Sequence, residues 1–200
     1  MEHALALFLF VISATITPGP NNIMIMTSSV NFGVKRSLPH LLGICLGFPL
    51  MVVVVGMGFS VVFERYPLFH QTIKVLGILY LLYLAWKIAA APVNQMTEGK
   101  SKPMTFMQAA IFQWVNPKAW VMATGAIAAY TSLNADMTWQ VLYIALNFLV
   151  VAFPSVGIWL LFGLVLKRFL QDPRHQRLFN ISMALLLVLS MLPVIRDVLL

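Results

Sequence analysis

From Ala4 to Met26 the chain reads ALALFLFVISATITPGPNNIMIM, with no charged residue and with Pro-Gly-Pro and two asparagines in its second half. An apolar run of about 20 residues is what a helix needs to cross the hydrocarbon layer. Proline inside such a helix removes an N–H and drives its ring against the preceding turn, at a cost of about 3 kcal/mol. Lipid offers no water to the freed backbone groups, so irregular backbone survives there only against protein or a wet cavity. The break therefore demands a bundle of helices around it.

The rest of the chain supplies one. Apolar runs place six spans at roughly 4–28, 38–63, 70–91, 107–131, 140–165 and 177–198. Of the 200 residues, 60% are hydrophobic and 10% charged, against about 25% charged in an ordinary soluble domain. The runs are continuous rather than alternating, which argues against a β-barrel. The leader Met1-Glu2-His3 lacks the basic segment of a cleaved signal peptide. The expectation is an all-α integral membrane protein, with residues 1–200 as a single transmembrane domain and no soluble domain attached.

The net charge of +7 reads as an orientation signal. Lys35, Arg36, Lys87, Lys100, Lys102, Lys167, Arg168, Arg174 and Arg177 fall in or beside loops 1, 3 and 5, whereas Arg65, Lys74 and Arg196 lie on the other side. By the positive-inside rule the odd loops are cytoplasmic and both termini periplasmic. Basic loops also suit anionic membrane lipid, and no nucleic-acid partner is expected. Cys45, the one cysteine, reads as a small buried residue. It allows no disulfide or multi-cysteine metal site within the chain, and no cofactor or metal is expected.

Three spans precede the polar loop 92–106 and three follow it. At one constant offset Phe48, Pro49 and Gly58 match Phe153, Pro154 and Gly163, and spans 1 and 4 each carry a proline at a similar depth, Pro18 and Pro117. Three is an odd number, so the second half enters the membrane from the opposite face. The reading is two inverted three-helix repeats, about 4–91 and 107–198, with helices 1 and 4 broken. Inverted repeats with interrupted helices point to a transporter whose site lies near the midplane.

Each break has residues suited to a charged solute. Pro18-Gly19-Pro20 ends one half-helix near Thr17 and starts another near Asn21, with Pro20 at a position where its missing N–H is no loss. Asn21 and Asn22 then sit beside the free N–H groups of a half-helix N-terminus, which favours anions such as carboxylates. In span 4, Asn116 is a good N-cap, Pro117 fits the first helical position and Lys118 follows. Gln113 and Trp114, just before this break, join the candidate substrate-binding set.

Lys118 is the one charge placed well inside a span, where insertion costs about 2.5–3.5 kcal/mol and marks a functional candidate. No Asp or Glu lies within a span to pair with it. Its partner is then a ligand carboxylate or a backbone carbonyl; the competing account is that it snorkels to the interface. The single prolines Pro49, Pro154 and Pro193 read as packing kinks. Gly43-x3-Gly47 and Ala119, Ala123 and Ala126 allow close helix approach.

"TPGPNN", "GVKRS", the G-x3-G of span 2, "YLAWKI" and "NPKAW" together resemble the lysine-exporter/homoserine–threonine-resistance family of bacterial inner-membrane amino-acid exporters, along the whole chain. The "PGPNN" form looks closest to the branch exporting cysteine and O-acetylserine. The resemblance implies efflux of a zwitterionic amino acid driven by the proton-motive force. It assigns Pro18, Gly19, Pro20, Asn21 and Asn22 to one break, and Asn116, Pro117 and Lys118 to the other. The competing functions are a channel or carrier for another small anionic or zwitterionic solute, an intramembrane enzyme and a scaffold. An enzyme would need a nucleophile with its base, or paired carboxylates, and no span holds such a set. A homo-oligomer is compatible with the small-residue faces.

Overall fold

The structure is a computed structural model, and it describes residues 2–59, 67–90, 102–132, 135–170 and 172–189. Among these residues it is all-helical. The order is α1 (Glu2–Ile16), α2 (Pro20–Phe32), α3 (Val34–Val54) with a π-helical turn Val55–Phe59, α4 (Pro67–Ala89) and α5 (Phe106–Phe112). A 3-10 turn, Gln113–Val115, leads to α6 (Pro117–Tyr130), α7 (Met137–Phe169) and α8 (Pro173–Leu189). Val34–Gly58 and Met137–Lys167 are long and apolar enough to cross a bilayer. The pair Ala4–Ile16 and Pro20–Phe32, bent by 50°, makes a third candidate crossing.

The expected breaks in spans 1 and 4 are present, and the expected spans 2, 3, 5 and 6 each correspond to a helix. Those helices start three or four residues earlier than expected, α3 at Val34 and α8 at Pro173. Apolarity marks the lipid-facing stretch only, while the backbone stays helical beyond it. The start of α3 is fixed by Gly33, whose φ of 80° and ψ of 167° turn the chain in one residue; that conformation is open to glycine at no steric cost. Thr105 and Gln108 close a capping box at the start of α5. The expected span end beyond Leu189, with Pro193 and Arg196, lies outside the described residues, as do Lys100 and Arg65.

Periodicity sorts the faces. Along α3, Leu38, Leu42, Leu46 and Leu50 stay exposed at four-residue spacing while Ile44, Cys45, Phe48, Met51 and Val52 are buried. An apolar outer row suits lipid, since nothing polar is then left without a partner there. One core joins α1, α3, α6 and α7 through Val11, Met51, Ala123 and Ile144. In it Phe48 meets Phe148 edge-on at 4.9 Å. A second joins α2, α4, α5 and α8 through Met24, Leu81, Phe112 and Leu187.

Gly43 and Gly47 are where α3 lies on α5. A Cβ on Gly47 would sit 2.6 Å from Ala110 Cα, and one on Gly43 would strike the Phe106 carbonyl and Ala109 Cβ. Gly163 does the same for α7 on α2, with Met26 O 2.5 Å from its missing Cβ. The residues matched between the halves do not share surroundings. Phe48 is 5% exposed and Phe153 39%. Gly58 holds a φ of 110° beyond the end of α3, whereas Gly163 is a contact point inside α7. The Phe-Pro identities therefore reflect composition as much as equivalent packing.

Replacing Gly43 by alanine forces α3 and α5 apart and should destabilise the folded protein by about 1–3 kcal/mol. Gly125→Ala meets no atom within 4 Å and should be neutral or stabilising by up to about 1 kcal/mol. Thermal unfolding of the two variants in the same detergent checks the contrast.

Candidate functional site at the two helix breaks

A helix leaves its last four carbonyls without intrahelical partners, and α1 ends at Ile16, one residue before the exposed Thr17 and Pro18. Side chains from three other elements supply the missing donors. Asn22 Nδ2 donates to the carbonyls of Thr15 and Thr17, both at 2.8 Å. The indole Nε1 of Trp159 on α7 donates to Ile16 O at 2.9 Å. Lys118 Nζ, at the start of α6, donates to Thr17 O at 2.7 Å, Thr17 Oγ1 at 2.8 Å and Pro18 O at 3.3 Å. Thr15 Oγ1 bonds Val11 O at 2.7 Å and lies 3.0 Å from Ser155 Oγ of α7.

Gly19 is fully extended, with φ −176° and ψ 179°, and Pro20 opens α2 at its first position. Ile23 N–H returns to Gly19 O at 2.9 Å, while the N–H groups of Asn21 and Asn22 start the helix with no carbonyl behind them. Gly19 needs its missing side chain for a different reason from turn geometry. A Cβ there would stand 2.6 Å from Lys118 Cδ and 3.1 Å from Nζ, so only glycine lets the lysine lie along the break.

The second break is built more locally. The 3-10 turn delivers the chain to Asn116, extended at φ −85° and ψ 109°, whose Oδ1 accepts the N–H of Lys118 at 3.1 Å. Pro117 takes the first helical position. Trp120 Nε1 donates to Trp114 O at 2.8 Å, and the two indoles meet edge-on at 6.0 Å. Gln113 is fully buried and donates to Ala109 O at 2.8 Å. It also forms a reciprocal amide pair with Asn21. Asn21 Nδ2 donates to Gln113 Oε1 at 2.8 Å, and Gln113 Nε2 donates back to Asn21 Oδ1 at 3.2 Å.

All ten sequence-predicted residues are gathered around these two breaks, with different parts to play. Gly19, Asn21, Asn22, Asn116 and Lys118 line a cavity of about 40 Å³, roughly the room of one water molecule in the liquid. Pro18, Pro20, Gln113, Trp114 and Pro117 do not line it; they shape the backbone or tie the breaks together. The Asn22 amide is bound to α1 carbonyls, and that of Asn21 to Gln113. Sequence reasoning passed over Thr15, Thr17, Ser155 and Trp159. The one local signal for Thr17 was its place immediately before Pro18. No group of three or more His, Cys, Asp or Glu that could hold a metal occurs among the described residues.

Residues 12–194 match the family described as LysE type translocator. The chain belongs to that family. It is also 30% identical over 186 residues to the cysteine/O-acetylserine efflux proteins of Escherichia coli K12 and Shigella sonnei, covering 92% of this chain and 92% of each relative. The same identity and coverage hold for the Shigella flexneri protein. The family and the apolar helices make it a multi-pass membrane transporter of the LysE type, similar to the efflux proteins that the PGPNN motif pointed to. No solved structure matches it.

The amide pair between the breaks is directly measurable. Asn21→Ala and Gln113→Ala should each lower stability, and the double variant should lose less than their sum. Interhelical hydrogen bonds in membranes average about 0.6 kcal/mol and reach about 1.7, so a double-mutant cycle should give a coupling in that range.

Proposed function

We propose that this LysE-type translocator exports small neutral amino acids or their derivatives, cysteine and O-acetylserine among them, across the bacterial inner membrane in exchange for protons. The relatives named above are efflux proteins for that pair of compounds. The single observation that carries the reading is the Lys118 ammonium seated on the carbonyl end of α1 beside the N-terminus of α2. Those groups form one acceptor set and one donor set a few ångströms apart, which is what a zwitterion requires.

The arrangement suggests an exchange of partners. An amino acid's ammonium takes over the Thr17 and Pro18 carbonyls from Lys118. Its carboxylate then meets the displaced lysine and the first N–H groups of α2, where the helix end favours negative charge. The 40 Å³ cavity is too small for cargo while Lys118 lies along Gly19, so binding and opening are one event. A proton passing to or from the lysine amine during the exchange provides the coupling. No carboxylate lines the cavity to hold a second ammonium, which favours neutral over dibasic cargo.

In this reading the domain spans 1–200 as two inverted repeats of three crossings, about 4–91 and 107–198, with odd loops cytoplasmic and both termini periplasmic. Hydrogen bonds that bridge the breaks favour a carrier over an open channel, because a path through them exists only when they are exchanged.

The test is uptake of labelled neutral amino acids into inside-out vesicles under an imposed pH gradient. Saturable, gradient-dependent accumulation is expected for the wild type. Lys118→Gln removes the charge and shortens the side chain by one atom while keeping a polar end. It should cut the rate by about 10- to 100-fold, the equivalent of the 1.5–3 kcal/mol carried by hydrogen bonds to charged groups. Unchanged transport in a folded Lys118→Gln protein would remove the lysine from the mechanism.

A further inference from the structure

A larger cavity than the one at the breaks lies elsewhere, at the end of the bundle that carries loops 1 and 3. It measures about 280 Å³, against about 40 Å³ at the breaks. Its polar lining comes from Thr27, Ser28 and Asn31 of α2, His40 of α3, Lys87 of α4 and Lys102 just before α5. The rest of its wall is apolar, supplied mainly by α2 and α4.

His40 is the anomaly. It is 2% exposed, and neither ring nitrogen has a hydrogen-bond partner among the described residues. Buried polar groups are nearly always partnered, and leaving one bare costs about 1–3 kcal/mol. Its neighbours on the wall are already committed to the protein. Thr27 Oγ1 donates to Ile23 O at 2.7 Å, Ser28 Oγ pairs with Ser37 Oγ at 2.9 Å, and Asn31 Nδ2 donates to Thr27 O at 2.8 Å while Asn31 Oδ1 accepts from Gln176 Nε2 at 3.2 Å and keeps one lone pair. These groups and the imidazole ring belong to the wall of a space that Lys87 and Lys102 also line.

We infer that this cavity is a second amino-acid site, a loading site from which cargo moves along α2 to the breaks. The lysines meet the carboxylate; the imidazole, the hydroxyls and the Asn31 carbonyl oxygen meet the ammonium. No Asp or Glu is on the wall, so a free amine gains nothing from it and a zwitterion does. Both cavities share α2 as a wall, with Asn22 on one and Thr27 on the other. Five residues along a helix is about 7.5 Å, a single step for a solute of this size. The inference rests on the exporter reading, since a loading site needs a cargo.

Equilibrium binding of radiolabelled L-serine and O-acetyl-L-serine to the purified full-length protein in nanodiscs tests it. Two molecules per chain are expected for the wild type and one for Lys118→Gln. Adding His40→Asn or Lys87→Gln to Lys118→Gln should weaken the remaining site by about tenfold or more, the scale of one charge-assisted hydrogen bond. Lys87 is exposed, so its substitution leaves folding intact even where loss of the buried histidine does not. One molecule per wild-type chain and none on Lys118→Gln would overturn the loading site and leave the exporter standing. Residual binding indifferent to both His40→Asn and Lys87→Gln would also overturn it. Displacement by acetate as effective as by serine would reduce the site to one for simple anions. A wild type that binds neither amino acid would overturn both readings.

Discussion

The bare carbonyls at the end of α1 govern how the rest of the molecule is put together. In water such groups are solvated at no cost to the fold, but inside a membrane each unsatisfied one costs several kcal/mol. Here the carbonyls of residues 15 to 18 are met by Asn22 from α2, Trp159 from α7 and Lys118 from α6. Those donors are 5 to 143 positions distant in sequence. The break can exist only if α2, α6 and α7 arrive in register around it. A feature that looks like a weakness in one helix thus fastens both halves of the chain.

The two breaks are unlike in how they are satisfied, and the difference bears on function. At the second, Asn116 caps the Lys118 N–H and Trp120 bonds Trp114 O, all within seven residues. Those local bonds hold the Lys118 backbone steady, and Gln113 just before them reaches across to Asn21. At the first, the acceptors are served by long side chains from elsewhere, and the longest of them is an ammonium. An ammonium on carbonyls is the interaction a free amino acid reproduces most closely. The lysine is held there by three bonds, to Thr17 O, Thr17 Oγ1 and Pro18 O.

How much of this could be read from the sequence follows from range. The helical class and the two breaks rest on local chemistry and appear in the structure; of the two partners expected for Lys118, a ligand carboxylate or a backbone carbonyl, the structure shows the carbonyls of Thr17 and Pro18. The Asn22 amide was legible as a polar group beside a break, but not as a cap on the preceding half-helix, because the path of the chain through Gly19 decides which way it turns. The Thr15–Ser155 and Trp159–Ile16 contacts join residues 140 and 143 positions apart, and no local pattern encodes such a pairing. Phe48 and Phe153 show the converse limit, in that identical residues at matched positions met different surroundings. Nothing local to His40 marks it as buried, yet α3 turns it fully inward.

The polar residues of α2 explain why it can wall both cavities. Asn22, Thr27, Ser28 and Ser29 are all buried, on a helix whose residues 22 to 30 are enclosed without exception. A helix with so many amide and hydroxyl groups cannot face lipid, while α3 and α7 offer it rows of leucine and other large apolar side chains. Partition alone therefore drives α2 to the centre and wraps the others around it. Thr27 turns its hydroxyl back onto its own helix, a local bond that satisfies the proton and leaves oxygen lone pairs facing outward. The centre of the bundle is then a column of weak acceptors that runs between the cavity lined by Lys118 and the one lined by Lys87 and Lys102.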